Sequence, residues 1–459
     1  MTVFSTTRPL LSCAIIGTAL MLNSTSFSAN AALSKQNLQS SGYWGGILLP
    51  DNAAISASEL NTIYNRFVNN YIVNVGSDKA RVKWGSGGAL RDGSGNVSKD
   101  AYATASEGMG YGMLITAYGN DKTRFDKLYR FYKKTLDDNN ADLMPWLVWD
   151  NASPVTNQIC YGIVGQNQTC FGAGGGGPAT DGDIDIAMAL FVAADKWSGT
   201  GIDYRAEAIH IVNELHDNWL HWCADDGGTW VVKPYQKSNF NPCTDEIDAS
   251  YSIPAFFRFF AEVAALDSSV KNTNDRWNSA ARDLYSRLLD KQKAGPNGDK
   301  TFVPDWMKLN GSAVTGRSTN YGSDASRIPW RVTMDYAWYG TDASRNWTRR
   351  LINDLVNNAN NGDISGIEAD ISQSSGNSAG YNGRSFSGGF AVAAMLYDWY
   401  PANANNYTNH WVNETLNGSL PWNIGANGYE NANNDYYGMA LSALYALTLT
   451  GNTYKPAAN

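Results

Sequence analysis

The chain has 459 residues, 35 Lys+Arg against 43 Asp+Glu, a formal charge of -8 and only 17% charged residues. That balance excludes a basic nucleic-acid binder, and 43% hydrophobic residues exclude a disordered chain. Length alone, at about 150 residues per domain, would give roughly three domains. The unusual feature is aromatic: 16 Trp, 25 Tyr and 15 Phe. Such rings join a flat apolar face to a polar tip and suit a wet surface that holds something as flat and hydroxylated as a sugar, although most must be core.

In chain order, Arg8 precedes the apolar run Leu10 to Leu22, and the small-residue site Ala29-Asn30-Ala31 follows. This is the layout of a secretory signal peptide, so residues 1–31 are expected to be removed and residues 32–459 exported to the periplasm or the medium. The run is too short to span a bilayer, and no membrane association is expected after cleavage. Apolar residues then recur at helical spacing near 57–72, 107–118, 122–136, 183–197, 206–220, 254–265, 277–292, 330–339, 344–358, 386–399, 405–416 and 436–449. Gly-, Asn- and Ser-rich stretches at 172–177, 357–362, 372–380 and 427–434 read as surface loops. No Pro/Thr/Ser linker sets off a second module. With few convincing strands, the expectation is one all-α domain over 32–459, a ring of paired helices carrying its function on the loops at one end. A monomer is expected.

Four cysteines lie beyond the leader: Cys160, Cys170, Cys223 and Cys243. They contain no C-x-x-C, and an oxidising compartment favours the disulfides Cys160–Cys170 and Cys223–Cys243 over a zinc site.

Three segments place acids among glycines and aromatics, where a solvated face would carry good helix formers. In Ser106-Glu107-Gly108-Met109-Gly110-Tyr111-Gly112, Ser106 could cap a helix, and the alternate glycines imply close backbone approach. Glu107 at such a crowded, partly apolar position would be desolvated and held protonated, as a general acid must be; the competing account is a Glu favoured by the helix dipole. Asp181, Asp183 and Asp185 alternate ahead of an apolar helix; a calcium loop would need a Glu where Val192 stands, and Asp181 can instead cap the helix or face a cleft. Asp324 lies three residues before Arg327, a spacing that allows a charged hydrogen bond to keep it ionised as a general base. Asp335, one helix face further on, is expected to be structural. No G-x-S-x-G, P-loop or H-E-x-x-H is present, and the G-x-G-x-x-G at 172–177 has no strand before it, so no cofactor and no metal are expected.

Together the three segments resemble glycoside hydrolase family 8. Ser106 to Gly112 is similar to the family's acid motif, Ala179 to Trp197 to its signature A-[ST]-D-[AG]-D-x-x-[IM]-A with Phe191 departing from it, and Asp324-Ala325-Ser326-Arg327 to its base motif. Weaker echoes are Met144-Pro145-Trp146, Ser250-Tyr251 followed by Pro254, and Val303-Pro304-Asp305-Trp306. The resemblance implies an (α/α)6 barrel and an inverting endo-glycoside hydrolase on a β-1,4-glucan such as soluble cellulose. It implies Glu107 as general acid, Asp324 as general base, Asp181 holding the distorted sugar, Tyr251 and Arg327 near the reacting ring, and Trp146 and Tyr436 as glucan platforms. Ser323 and Met439 stand where tyrosines are expected. Xylan, mixed-linkage β-glucan and chitosan remain alternative substrates, and a non-catalytic carbohydrate-binding protein is the alternative class.

Overall fold

The computed structural model describes residues 32–459 apart from 86–89, 93–102, 157, 164–165, 173, 225–226, 291–301, 358–382, 397–400 and 418–435. The expected leader, 1–31, and most of the expected loop stretches lie outside the described residues. Among the described residues, a short α1 (Leu38–Ser41) is followed by twelve helices of two kinds. One kind is apolar on every side: α3 (Ser106–Tyr118), α5 (Thr180–Trp197), α7 (Pro254–Leu266), α9 (Ile328–Tyr339), α11 (Arg384–Ala393) and α13 (Tyr436–Leu449). Most of their residues are buried, as helices without a polar face must be. The other kind carries one polar face: α2 (Ala57–Tyr71), α4 (Lys122–Asn139), α6 (Tyr204–Glu214), α8 (Arg276–Asp283), α10 (Asp342–Asn357) and α12 (Pro401–Asn417). In α4, for example, Phe125, Leu128, Tyr132 and Leu136 point inward while Lys134 and Asp138 face water.

Each inner helix packs on one outer helix: α3 on α4, α5 on α6, α7 on α8, α9 on α10, α11 on α12, and α13 on α2. Among themselves α7, α9, α11, α13, α3 and α5 follow one another around the ring. Phe191 of α5 closes the remaining step against Phe259 and Phe260 of α7, with ring centroids 5.2 and 6.0 Å apart. The molecule is thus an (α/α)6 barrel whose last inner helix pairs with its first outer one. Chain ends meet there too, with Gln36 N donating to the Thr450 carbonyl at 2.9 Å. Among the described residues one apolar cluster runs from Tyr43 to Ala458.

The strands are few and short. Among the described residues nine, β1 (Ile72–Val75), β2 (Lys79–Val82), β3 (Leu90–Asp92), β4 (Ala103–Ala105), β5 (Leu147–Trp149), β6 (Gln158–Ile163), β7 (Gln166–Gly172), β8 (Leu220–Cys223) and β9 (Thr229–Val232), form four small antiparallel sheets. The helix expected over 206–220 stops at Glu214, continues as a wide turn to Trp219 and gives way to β8. That expected over 386–399 stops at Ala393. Cys223 is joined to Cys243 by a disulfide. Backbone register sets Cys160 opposite Cys170 across β6 and β7, but their side chains lie outside the described residues. No described helix is long and apolar enough to cross a membrane.

Candidate active site

The starts of α3, α5 and α13 and the segments leading into α7 and α9 converge on one cleft of about 630 Å³. Two close backbone approaches bring the acids there. A Cβ on Gly182 would lie 2.5 Å from the Ser106 carbonyl carbon and 2.7 Å from Glu107 N, and one on Gly110 would lie 2.8 Å from the Gly182 carbonyl oxygen. The first turns of α3 and α5 therefore touch backbone to backbone, and Glu107 and Asp181 stand side by side. Neither helix is capped by a side chain: the N-caps are Ala105 and Ala179, and Ser106 and Asp181 lie inside the helices. Both capping expectations are thereby corrected.

Arg327, 0% exposed, is the centre of the site. Its Nη1 donates to Glu107 Oε2 at 2.5 Å and Asp181 Oδ2 at 2.6 Å; its Nη2 donates to Ser250 Oγ at 2.7 Å and more distantly to Asp324 Oδ1 at 3.4 Å. The Tyr251 ring lies beneath, its centroid 5.5 Å from the guanidinium carbon. Short charge-assisted bonds of this kind fix the geometry of every partner. Glu107 Oε1 accepts from the Tyr436 hydroxyl at 2.7 Å. Burial, only partly offset by Arg327 and reinforced by the charges of Asp181 and Asp324, pushes the Glu107 carboxyl up to about 8. Asp324 is the open carboxylate of the group, its side chain 36% exposed. Its Oδ2 accepts from Trp306 Nε1 at 3.1 Å.

All seven residues expected at the site are thus placed: Glu107, Asp181, Trp146, Tyr251, Asp324 and Tyr436 line the cleft, and Arg327 lies buried beneath it. Asp183 and Asp185 turn away, accepting from Met144 N at 2.9 Å and from Arg331 Nη2 at 3.0 Å, so the three alternating acids do not form a calcium ligand set. Burial, again against the nearby arginine, pushes Asp185 up to about 6. Asp335 is fully buried away from the cleft and accepts from Arg258, Tyr285 and Thr341. His221 stands close to Cys223 and Cys243, but disulfide sulfurs are not thiolate ligands for zinc.

Sequence reasoning missed several contributors. Trp84, Trp306 and Tyr437 line the cleft. Tyr437 stands beside the noted Met439 position, and its hydroxyl donates to the Ser323 carbonyl, just ahead of Asp324. Asp305 accepts from Gly322 N at 3.1 Å and Ala325 N at 2.8 Å and so fixes the turn that carries Asp324. Trp306 and Asp305 lie in the Pro-Asp-Trp echo, which was the available signal.

A helical barrel with three carboxyl groups bound to one arginine in an aromatic cleft is the frame of a glycoside hydrolase. The model of glycosyl hydrolases family 8 matches residues 52–448, and the chain belongs to that family. It is 30% identical over 377 residues to "Endoglucanase A" of Acetivibrio thermocellus, covering 81% of this chain and 66% of that protein's length. It is 26% identical to "Beta-glucanase" of Niallia circulans, covering 95% of this chain and 94% of that one. Among solved structures, a beta-1,3-1,4-glucanase from Paenibacillus sp.X4 superposes with a TM-score of 0.66 at 21% identity, over 90% of this chain and 97% of the other.

Proposed function

We propose that the protein is an exported, inverting endo-β-1,4-glucanase, with residues 32–459 as one catalytic domain and Cys160–Cys170 as a second disulfide. The carrying observation is the single buried guanidinium that binds Glu107 on Nη1 and Asp324 on Nη2. Inversion needs one carboxyl to protonate the glycosidic oxygen and a second, about 6.5–9.5 Å away, to activate water on the opposite face of the ring. A guanidinium set between the two carboxyls supports that wider spacing. Because a guanidinium only donates, Glu107 Oε2 must accept, and the acid's proton belongs on Oε1 beside the Tyr436 hydroxyl, which can turn to accept it. Asp324 accepts from two donors and faces solvent, which suits a base that draws in water. Asp181, buried and fixed by Arg327, is placed to take a hydroxyl of the distorted sugar.

The cleft wall supports a neutral glucan. Its described acids are Glu107, Asp181 and Asp324, while Lys237 and Arg317 add cations; an ammonium-bearing chitosan would meet no spare carboxylate there. Trp84, Trp146 and Trp306 offer faces for sugar rings, and the names of the two relatives support endo action on β-glucan. The test measures reducing ends released from soluble cellulose, mixed-linkage β-glucan, xylan and chitosan by the native enzyme, Glu107→Gln and Asp324→Asn. Cellulose is expected to lead, both variants to lose at least about 10³-fold in kcat while keeping the native fold, and proton NMR to find the α-anomer first. Near-native activity in either variant, or β-anomer as the first product, overturns the assignment.

A further inference from the structure

A fourth carboxyl group faces Arg327. Asp248, 0% exposed, ends the segment before the short turn Ala249–Tyr251 that carries Ser250 and Tyr251 into the site. Its Oδ1 accepts from Ser250 N at 2.7 Å and so shapes that turn. Its Oδ2 is buried and has no hydrogen-bond donor among the described residues, although Arg327 Nη2 lies only 3.7 Å away. A guanidinium normally closes on a buried carboxylate to about 2.7–2.9 Å. Here the same nitrogen turns instead to the neutral Ser250 hydroxyl at 2.7 Å.

We propose that Asp248 is a positioning residue of the site, carried as a neutral carboxylic acid with its proton on Oδ2. In that form it shapes the Ser250–Tyr251 turn through Oδ1 and does not compete through Oδ2 for the guanidinium, whose charge is left to Glu107, Asp181 and Asp324. The charge balance favours such a group: with Glu107 already holding its proton, the one buried cation still faces Asp181, Asp324 and Asp248. The groups facing Asp248 agree. Burial is the largest influence and drives its carboxyl well above the ordinary range; Asp324 and Asp305 also oppose its ionisation, while Arg327 and the hydrogen bond from Ser250 favour it without outweighing burial, and Tyr251 adds no positive charge.

The inference rests on the reading of Arg327 as the centre of a hydrolytic site, and its test includes a readout that does not depend on activity. Difference infrared spectra of native protein minus Asp248→Asn at neutral pH should contain the carbonyl stretch of a protonated carboxylic acid; a carboxylate band in its place overturns the proposal. Asp248→Asn, which keeps the shape and the acceptor of the neutral acid, should keep kcat within about threefold. Asp248→Ala should lower kcat by about 10- to 100-fold with KM little changed, since it frees the turn beneath the reacting sugar. Loss in the Asn variant comparable to that in the Ala variant, or an Ala variant as active as the native enzyme, overturns the positioning role. If the native enzyme cleaves none of the four polymers, the hydrolytic reading fails while the infrared result still decides the protonation state.

Discussion

At the scale of single residues, chemistry is decided by burial working against charge. Arg327 binds Glu107 and would lower its affinity for a proton, yet burial outweighs it and the proton is kept to about pH 8. In the free enzyme kcat/KM should therefore fall as pH rises through about 8, when the acid's proton is lost. An alkaline limb near the ordinary carboxylate value would remove Glu107 from the role. The sign for stability is the same: the folded state holds a proton that the unfolded chain gives up above its ordinary value. The stability linked to Glu107 is present below that value and lost as pH rises through about 8. Glu107→Gln should accordingly show a smaller fall in Tm than the native protein between about pH 5 and about pH 9. The spacing of Asp324 and Arg327 was legible as a possible pair. That the guanidinium's shortest carboxylate bonds would reach residues 220 and 146 positions away in the chain was not.

At the scale of elements, the glycines decide how close α3 and α5 come. Alternation of Gly108, Gly110 and Gly112 announced a close approach, and the three glycines proved to meet different partners: Gly110 the start of α5, Gly108 the Tyr436 ring and Gly112 the Val82 side chain. A methyl group on Gly182 would meet backbone atoms of Ser106 and Glu107, which cannot rotate aside as a side-chain tip could. Gly182→Ala should thus destabilise the fold by about 1–3 kcal/mol in chemical denaturation, the usual cost of overpacking, and should lower kcat because Glu107 moves off the cleft. A variant as stable and active as the native enzyme would refute this packing account. Helix identity was well marked by periodicity over ten or more residues. The strands were not, because most pair over three or four residues, too few to establish an alternating pattern, and β8 continues a helical pattern that runs through Leu215 and Trp219.

At the scale of the whole molecule, the ring is closed by elements far apart in sequence, and the cleft wall depends on a covalent tie. Tyr235, Gln236 and Lys237 of the wall lie between Cys223 and Cys243. A bridge across a loop of this length is worth about 3 kcal/mol. The double substitution Cys223→Ser/Cys243→Ser should lower Tm and raise KM more than it lowers kcat, because the wall loosens while the Arg327 cluster remains. Unchanged Tm and KM would show the bridge to be dispensable to the cleft.

Local chemistry by itself determined the helices, the contrast between all-apolar and one-sided ones, and the three acid-bearing segments, because periodicity, turn residues and charge spacing are written within a few turns of chain. Only the tertiary structure decided that α13 closes on α2, that Trp306 bonds the Asp324 carboxylate more closely than Arg327 does, and that Asp248 faces Arg327. These depend on desolvation and Coulomb interactions among groups brought together from distant segments, and neither quantity exists until the barrel has closed.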